Sequence, residues 1–542
     1  MAEVFSAGDL NIDLFLHTGE KPAMGIEKSV PRVEYSIGGN AANFAMALSG
    51  LGKKTFLVSA LGKDFYSEFL KTRLKSAGVT PLLYGSPEKN GISAIFVSGR
   101  DRAIMSNKGA LLGFGSAMAG KKILPRLSAG DIVFFGGFFH MPKMRKGFGK
   151  LLSAINKKRA RVFFDTTYDE HNNWSLDGFL SKIDTLFVNE IELGKIAGKS
   201  GGAGAAVKRL LKRGAKSVVL KRGGKGAEFF SSGAHITGPA VPVKVINATG
   251  AGDFFNAGYT YGAVKGYGVK ACLECGNFAA ARKISAEKYY LPRAAGLEKF
   301  LAGKNLAEAR KVKNYAALSK AVAGEIINQL REKPGSVLAL ASGCTPSGAY
   351  SELAKAYRSG KADFSKAVFL ELDEYEGAPR ENTFGFNLRK KFIEKVNFRE
   401  KNVHLFRGSV KNARKEIRGT ESFIARKGID FMLLGIGENG HIAFNEPGTR
   451  FSSGTHIAKL SRKTLRANSG KTGEKIPGKA ITIGLKTVMS AEKIVLAANG
   501  AEKAYAVRKA LKGKPSASVP ASVLQGHKNA VFIVDRAAGK LL

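Results

Sequence analysis

Short, uninterrupted apolar runs separated by helical patterns constrain this chain more than any other feature. Asp131-Ile-Val-Phe-Phe135, Arg161-Val-Phe-Phe-Asp165, Thr185-Leu-Phe-Val-Asn189 and Ser217-Val-Val-Leu-Lys221 are four such runs. A helical pattern from Ala203 to Arg213 divides the last two. A strand buried on one face alternates apolar with polar residues, whereas a strand buried on both faces reads as a continuous run. A parallel sheet covered by helices on both faces is therefore predicted. Residues 11–36 and 91–106 contain alternating stretches such as Gly91-Ile-Ser-Ala-Ile-Phe-Val-Ser98. They predict a small, half-exposed sheet attached to the main one.

The chain has 542 residues, too many for one ordinary core. Around 293–312 it becomes small, basic and polar, and a fresh helix is predicted from about Tyr315 to Arg331. The alternation then resumes. Ser336-Val-Leu-Ala-Leu-Ala-Ser-Gly-Cys-Thr-Pro346 reads as a strand entering a turn. Ala367-Val-Phe-Leu-Glu-Leu-Asp373, Phe431-Met-Leu-Leu-Gly435, Lys493-Ile-Val-Leu-Ala-Ala498 and Ala530-Val-Phe-Ile-Val-Asp535 read as further strands. The predicted organisation is α/β, with two fused doubly wound domains at 1–304 and 305–542. The halves share no motif, which indicates fusion rather than duplication.

Three cysteines cannot form a disulfide framework, and Cys272 and Cys275 lie in a helical pattern as buried small residues. No apolar run approaches the ~18 residues needed to cross a membrane. The N-terminus has an early acid and no basic region, so no secretory signal is expected, and a cytoplasmic location is. The formal net charge is +42, but the basic residues are spread out, with runs no longer than Lys157-Lys-Arg159 or Arg389-Lys-Lys391. Attraction for small anionic substrates is the preferred reading over nucleic-acid binding.

Two glycine-rich segments carry the chemistry. Asn247-Ala-Thr-Gly-Ala-Gly-Asp253 leads into a helical stretch. Glycines let backbone N–H groups face an anion, and a helix N-terminus adds partial positive charge. Phosphoryl transfer needs that cradle, and a carboxylate such as Asp253 to accept the attacking hydroxyl's proton. Alone, the motif fits equally well a capped helix with Asp in its first turn. The second segment is Gly435-Ile-Gly-Glu-Asn-Gly-His-Ile-Ala-Phe-Asn-Glu-Pro447, after a strand. Asn439, His441 and Glu446 there, with Asp373 at another strand end, form an acid/base set where open α/β sheets place ligands. A lone histidine is more often structural; the accompanying carboxylates favour chemistry.

Gly8-Asp-Leu-Asn-Ile-Asp13, Ile37-Gly-Gly-Asn-Ala-Ala-Asn-Phe-Ala45, Asn189-Glu-Ile-Glu192 and Gly250-Ala-Gly-Asp253, in this order, resemble the ribokinase (PfkB-type) carbohydrate kinase family over the first 300 residues. The resemblance implies a small β lid and a set of roles. Asp253 would be the base, with Gly250, Ala251 and Gly252 as the anion hole. Asn189 and Glu192 would organise Mg²⁺ and phosphate, the metal arriving with ATP or ADP rather than held directly. Asn11, Asp13, Gly39, Asn40 and Asn43 would touch the sugar. Lys221 and Gly223, in Lys221-Arg-Gly-Gly-Lys-Gly226, and Asn277 would lie on the nucleotide side. Asn247 stands where the family usually has Asp, a position that helps hold a monovalent cation.

The second segment, with Leu372-Asp-Glu-Tyr375 upstream, resembles glucosamine-6-phosphate deaminase from about 311 onward. Gly500-Ala-Glu-Lys503 and Ser518-Val-Pro-Ala-Ser-Val-Leu-Gln525 extend the resemblance. The competing 6-phosphogluconolactonase shares the fold but lacks Phe-Asn-Glu-Pro and normally has Asp-Glu-Arg. The resemblance implies that His441, oriented by Glu446 and assisted by Asn439, opens the sugar ring. Asp373 would move the C2 proton to C1. Ser342, Gly343, Thr345 and Lys503 would hold phosphate, Thr345 resembling an N-cap before Pro346. No cofactor is expected in this half. Three departures are Asn439 in place of a frequent Asp, Cys344 in place of Gly, and a missing Arg near Ser469-Gly470, for which Lys471 could compensate.

The combined expectation is a bifunctional amino-sugar enzyme. It would phosphorylate glucosamine at O6 and then deaminate glucosamine 6-phosphate to fructose 6-phosphate and ammonium. Alternatives are deamination followed by phosphorylation of fructose 6-phosphate at O1, with Arg102 and Lys108 reading the second phosphate, or a kinase for N-acetylglucosamine or another sugar. A sugar-sensing nucleic-acid regulator ranks last. Sugars, sugar phosphates and nucleotide are the expected partners, with no membrane, and a homo-oligomer is expected.

Overall fold

A computed structural model describes the chain apart from residues 1, 19–23, 26, 28, 99–100, 170–171, 199–200, 287–289, 407–412 and 467–476, and the side chains of Asp101 and Arg102. The chain divides into two compact units, Met1–Ala302 and Gly303–Leu542.

In the first unit the strand Val4–Gly8 lies inside a nine-stranded sheet. Thr55–Leu61 and then Thr80–Gly85 extend it parallel on one side. On the other side Ile132–Gly136, Arg161–Asp165, Thr185–Asn189 and Ser217–Lys221 follow in parallel. Ala227–Ser231 and His235–Gly238 close that edge antiparallel. The four runs predicted as buried strands are these strands. The order reverses between Val4–Gly8 and Ile132–Gly136, and such a reversal opens a crevice at the strands' carboxyl ends. The two strands approach closely here: a Cβ on Gly8 would fall 1.9 Å from the Gly136 carbonyl oxygen.

The alternating segments form the separate four-stranded sheet: Arg32–Gly38, Asn11–His17, Gly91–Ser98 and Asp101–Asn107. Val33, Tyr35, Ile104 and Met105 on it are exposed, as expected of a half-buried sheet. The helix Asn40–Gly50 starts directly after this sheet, and Ala251–Val264 packs against it.

The second unit is a seven-stranded parallel sheet in the order Glu308–Val312, Ala530–Asp535, Lys493–Ala498, Phe431–Leu434, Val337–Leu340, Val368–Glu371, Val403–His404. Both faces are cores. Met432, Leu434, Ile494 and Leu496 enter one cluster, while Phe431, Leu433 and Val495 enter the other. Side chains along a strand alternate between faces, so burial on both sides demands a continuous apolar run. A three-stranded antiparallel sheet of Asp373–Tyr375, Lys479–Thr482 and His456–Lys459 was not predicted. Nor were the helix Ala294–Leu301 and the edge strand Glu308–Val312 in the small, basic stretch. The predicted helix after it spans Tyr315–Glu332, capped by the Asn314 side chain. Cys272 and Cys275 are buried and Cys344 is exposed.

Candidate active sites

A cleft of about 830 Å³ opens in the first unit. Asn11, Asp13, Gly39, Asn40, Asn43, Asn189, Glu192, Lys221, Gly223, Gly250, Ala251, Gly252, Asp253 and Asn277 all line it. Separate strands, turns and helices thus bring together the residues named from sequence. Gly250 has φ 76°, a conformation natural to glycine, and the helix Ala251–Val264 starts immediately after it. Backbone N–H groups of the first helical turn have no intrahelical acceptor, so this turn can receive an anion.

Asp253 sits in the first turn and is buried. Asn40 Nδ2 donates to its Oδ1 at 2.8 Å, and Asn43 Nδ2 to its Oδ2 at 3.1 Å. Burial, and then the charge of Asp165, raise Asp253 well above the ordinary carboxylate range, while the two asparagines pull it down. A carboxylate placed this way can accept a proton near neutral pH.

Asn189 and Glu192 also perform a structural task. Asn189 caps the helix Glu190–Ala197, with the Glu192 N–H donating to Asn189 Oδ1 at 2.9 Å and the Asn189 N–H to Glu192 Oε2 at 2.8 Å. This reciprocal pair is a capping box. Burial raises Glu192, and nearby Lys221 opposes the shift. Asn277 Nδ2 donates to the Gly238 and Pro239 carbonyls, so its amide fixes the backbone along the cleft. Among the described residues no group of three or more His, Cys, Asp or Glu side chains could hold a metal ion unaided.

Sequence reasoning missed three cleft residues, Asp165, Asp9 and His140. Asp165 ends its strand and accepts from Lys221 Nζ at 2.6 Å and from Asn256. Asp9 is buried, accepts the Ala41 N–H at 2.9 Å, and lies 3.1 Å from His140 Nδ1. Burial would raise Asp9, but His140 and the backbone donors hold it below the usual carboxylate range. Asp13 accepts from Asn11 at 2.8 Å and is pushed up to about 6 by burial and by Asp9. Lys108 lines the cleft; the Arg102 side chain lies outside the described residues.

In the second unit the named residues follow successive parallel strands. Ser342, Gly343 and Thr345 come after Val337–Leu340, Asp373 after Val368–Glu371, Asn439 to Glu446 after Phe431–Leu434, and Lys503 after Lys493–Ala498. His441 Nδ1 lies 2.7 Å from Asn439 Oδ1, and Asn439 Nδ2 donates to Glu446 Oε2 at 2.7 Å. Asn439 therefore relays the imidazole to the carboxylate, which is itself 3.8 Å from Nδ1. Burial holds His441 below the ordinary histidine value, Glu446 opposes this, and Lys503 adds to it. A Cβ on Gly437 would fall 2.2 Å from the imidazole, so the second glycine of the motif makes room for the ring.

Asp373 is buried and pushed up to about 7, by burial and then by the Glu374 charge, against a hydrogen bond from Ser342. Glu374 is structural: it accepts from the N–H groups of Tyr375, Phe384 and Gly385. Asp373 pairs across the small sheet with Thr482, whose hydroxyl accepts the Phe444 N–H at 2.9 Å, tying Asp373 to the histidine loop. The expected Thr345 cap is corrected. The helix Ser347–Arg358 is preceded by Pro346 with no side-chain cap, and the Thr345 hydroxyl donates to Asn499 Oδ1 at 2.6 Å. Proline fixes φ for helix entry by itself. Ser469, Gly470 and Lys471 lie outside the described residues.

The sequence model for pfkB family carbohydrate kinases matches residues 1–292, and that for glucosamine-6-phosphate isomerases/6-phosphogluconolactonase matches residues 310–533. A glucosamine-6-phosphate deaminase of Thermoanaerobacter sp. (strain X514) is 40% identical over 234 residues, 42% of this chain and 92% of that protein. One from Clostridium botulinum (strain Loch Maree / Type A3) is 42% identical over 236 residues, 43% of this chain and 97% of that protein. The chain belongs to the pfkB carbohydrate kinases and, through its second unit, to the glucosamine-6-phosphate deaminases. The solved Arabidopsis thaliana ribokinase, complexed with ribose and ATP, aligns over 55% of this chain and 99% of its own, at 22% identity and TM-score 0.48. By the two matched families the protein is a sugar kinase fused to a deaminase. No helix among its described residues is long and apolar enough to cross a membrane.

Proposed function

We propose that the kinase unit phosphorylates glucosamine at O6 with ATP, and that the deaminase unit converts the glucosamine 6-phosphate to fructose 6-phosphate and ammonium. The observation that carries the sugar assignment is the charge of the cleft. Asp9, Asp13 and Asp253 line it together with His140, and Lys108 is the described cation that lines it besides Lys221, which is paired with Asp165. That arrangement favours a cationic amino sugar over an already phosphorylated one.

The residues take the following roles. Asn11, Asp13, Gly39, Asn40 and Asn43 orient the sugar. Asp253 takes the O6 proton as O6 attacks the terminal phosphoryl group, whose charge the Gly250-Ala-Gly252 N–H groups receive. Lys221, Gly223 and Asn277 border the nucleotide. Glu192 and Asn189 would organise a Mg²⁺ ion brought with the nucleotide, whose charge would offset that of the phosphates. ADP as donor and a monovalent cation near Asn247 remain variants of this reading.

In the deaminase unit Ser342, Gly343, Thr345 and Lys503 hold the phosphate. His441, relayed through Asn439 to Glu446, opens the ring by moving protons between ring oxygen and O1. Asp373 takes the C2 proton, leaving an enolamine, and returns it to C1; water then adds at C2 of the resulting imine and ammonia leaves, giving fructose 6-phosphate. Fusion keeps the intermediate at raised local concentration. The proposed domains are 1–304 and 305–542, in a cytoplasmic homo-oligomer.

Lys108 supports one competing reading, a kinase acting on fructose 6-phosphate after deamination. The test is kinase turnover, read as ADP formation, on glucosamine, N-acetylglucosamine, glucose, fructose and fructose 6-phosphate. Glucosamine should lead and should also yield fructose 6-phosphate and ammonium. Higher turnover on fructose 6-phosphate would reverse the order of steps.

A further inference from the structure

Two ammonium groups flank the Gly250–Gly252 turn, and they differ in how they are paired. Lys221 reaches it from its strand, with Nζ 3.3 Å from where a Cβ on Gly252 would lie, and is paired with Asp165. Lys283 reaches it from the last turn of the helix Val269–Ile284. Its Cε lies 3.7 Å from the corresponding point beside Gly250, and Asn43 Nδ2 and Asp253 Oδ2 lie 3.8 and 3.9 Å from that same point. A lysine, an asparagine and the candidate base therefore converge on one glycine.

Among the described residues the Lys283 ammonium makes no hydrogen bond and no ion pair; its described contact is the Phe254 ring, 5.7 Å from Nζ. The preceding Arg282 is exposed and stacks on Tyr290, so it can answer the helix's C-terminal dipole from solvent. Turning an unpaired ammonium inward opposes folding. Burial indeed lowers Lys283 below an ordinary lysine, and Asp253 pulls it back. Fold stability does not account for this lysine, but charge at the turn does.

We propose that Lys283 is a positioning residue of the kinase, whose charge acts through the Gly250–Asp253 turn to keep the base ionised and to add positive potential where the phosphoryl group passes. Lys283 does not line the cleft, so it acts through its field rather than by touching substrate. The groups facing Asp253 leave that role open. Asn40 and Asn43 donate to it from the helix Asn40–Gly50. Asp9 and Asp165, from two strands, disfavour its ionised form. Lys221 is engaged first by Asp165 and Glu192 and only then by Asp253. Lys283 is the second cation beside the base, and among the described residues Asp253 is the one charge that acts on it.

The inference rests on Asp253 as the base, and the experiment separates the two. K283M, K283Q and K283R are compared with the unaltered full-length protein, following ADP formation from pH 5.5 to 8.5 on the sugar with the highest turnover. Removing the positive charge makes Asp253 harder to ionise, so the acid limb of kcat/KM should move to higher pH. A shift of about half a pH unit corresponds to roughly threefold lower kcat/KM on that limb. K283R should keep the original limb, and K283M should melt at the same or a higher temperature. Superimposable profiles for K283M, K283Q and the unaltered protein would overturn the proposal, as would a K283R limb displaced as far as that of K283M. Undiminished turnover in D253N would overturn it through the base itself.

Discussion

Ser342→Ala separates phosphate binding from proton transfer in the deaminase unit. Ser342 sits in the turn assigned to phosphate, yet its hydrogen bond also lowers Asp373, which burial and Glu374 otherwise push up to about 7. A hydrogen bond to a charged group contributes about 1.5 kcal/mol or more, equivalent to about one pKa unit. Removing it should carry Asp373 from about 7 to roughly 8. Proton abstraction needs the ionised carboxylate, so the acid limb of kcat/KM must move up by the same amount. At pH 7 the ionised fraction would fall from about a half to about a tenth, roughly fivefold, and nearer pH 6 the loss approaches tenfold. Weaker phosphate binding lowers the whole curve without moving its limb, so the shape of the profile decides. The assay is ammonium release from glucosamine 6-phosphate between pH 5.5 and 9. An S342A limb superimposable on the original would refute the assignment of Asp373 as the titrating base.

Three further expectations concern single side chains. D253N should reduce ADP formation about 10²- to 10⁴-fold, while ammonium release from supplied glucosamine 6-phosphate continues; parallel loss of both activities would contradict separate sites. N439L leaves Glu446 and His441 each without the amide that links them, so ring opening should slow and stability should drop by about 1–3 kcal/mol, read by denaturant titration. G437A sets a methyl against the His441 ring and should cost deaminase turnover without altering the kinase; unchanged ammonium release would show that the ring has another position.

The parallel strands were legible because burial on both faces leaves a continuous apolar record, as at Phe431–Leu434. The strand Glu308–Val312 was not, because an edge position admits Glu308, Arg310 and Lys311 and so leaves no continuous apolar run. Strands of three or four residues, such as Asp373–Tyr375, are too short to show a period. Within the kinase cleft, residues on glycine-rich turns could be named from sequence. Asp9, His140 and Asp165 could not, because their meaning depends on pairs 131 and 56 residues apart, His140 with Asp9 and Lys221 with Asp165. Thr345 misled for a related reason: a hydroxyl before proline suggests a local cap, but a partner 154 residues away claims it.

The capping box at Asn189 and Glu192 ties a cleft carboxylate to the start of a helix. Its rotamer is fixed when the helix forms, before any nucleotide arrives. The entropy of orienting that carboxylate is therefore lost during folding rather than on binding, and the metal–nucleotide complex proposed above would meet a group already in place. The same economy makes the position brittle. Exchange of Glu192 for an apolar residue alters helix entry and cleft charge together, whereas E192Q keeps an acceptor for the capping box and removes the charge alone.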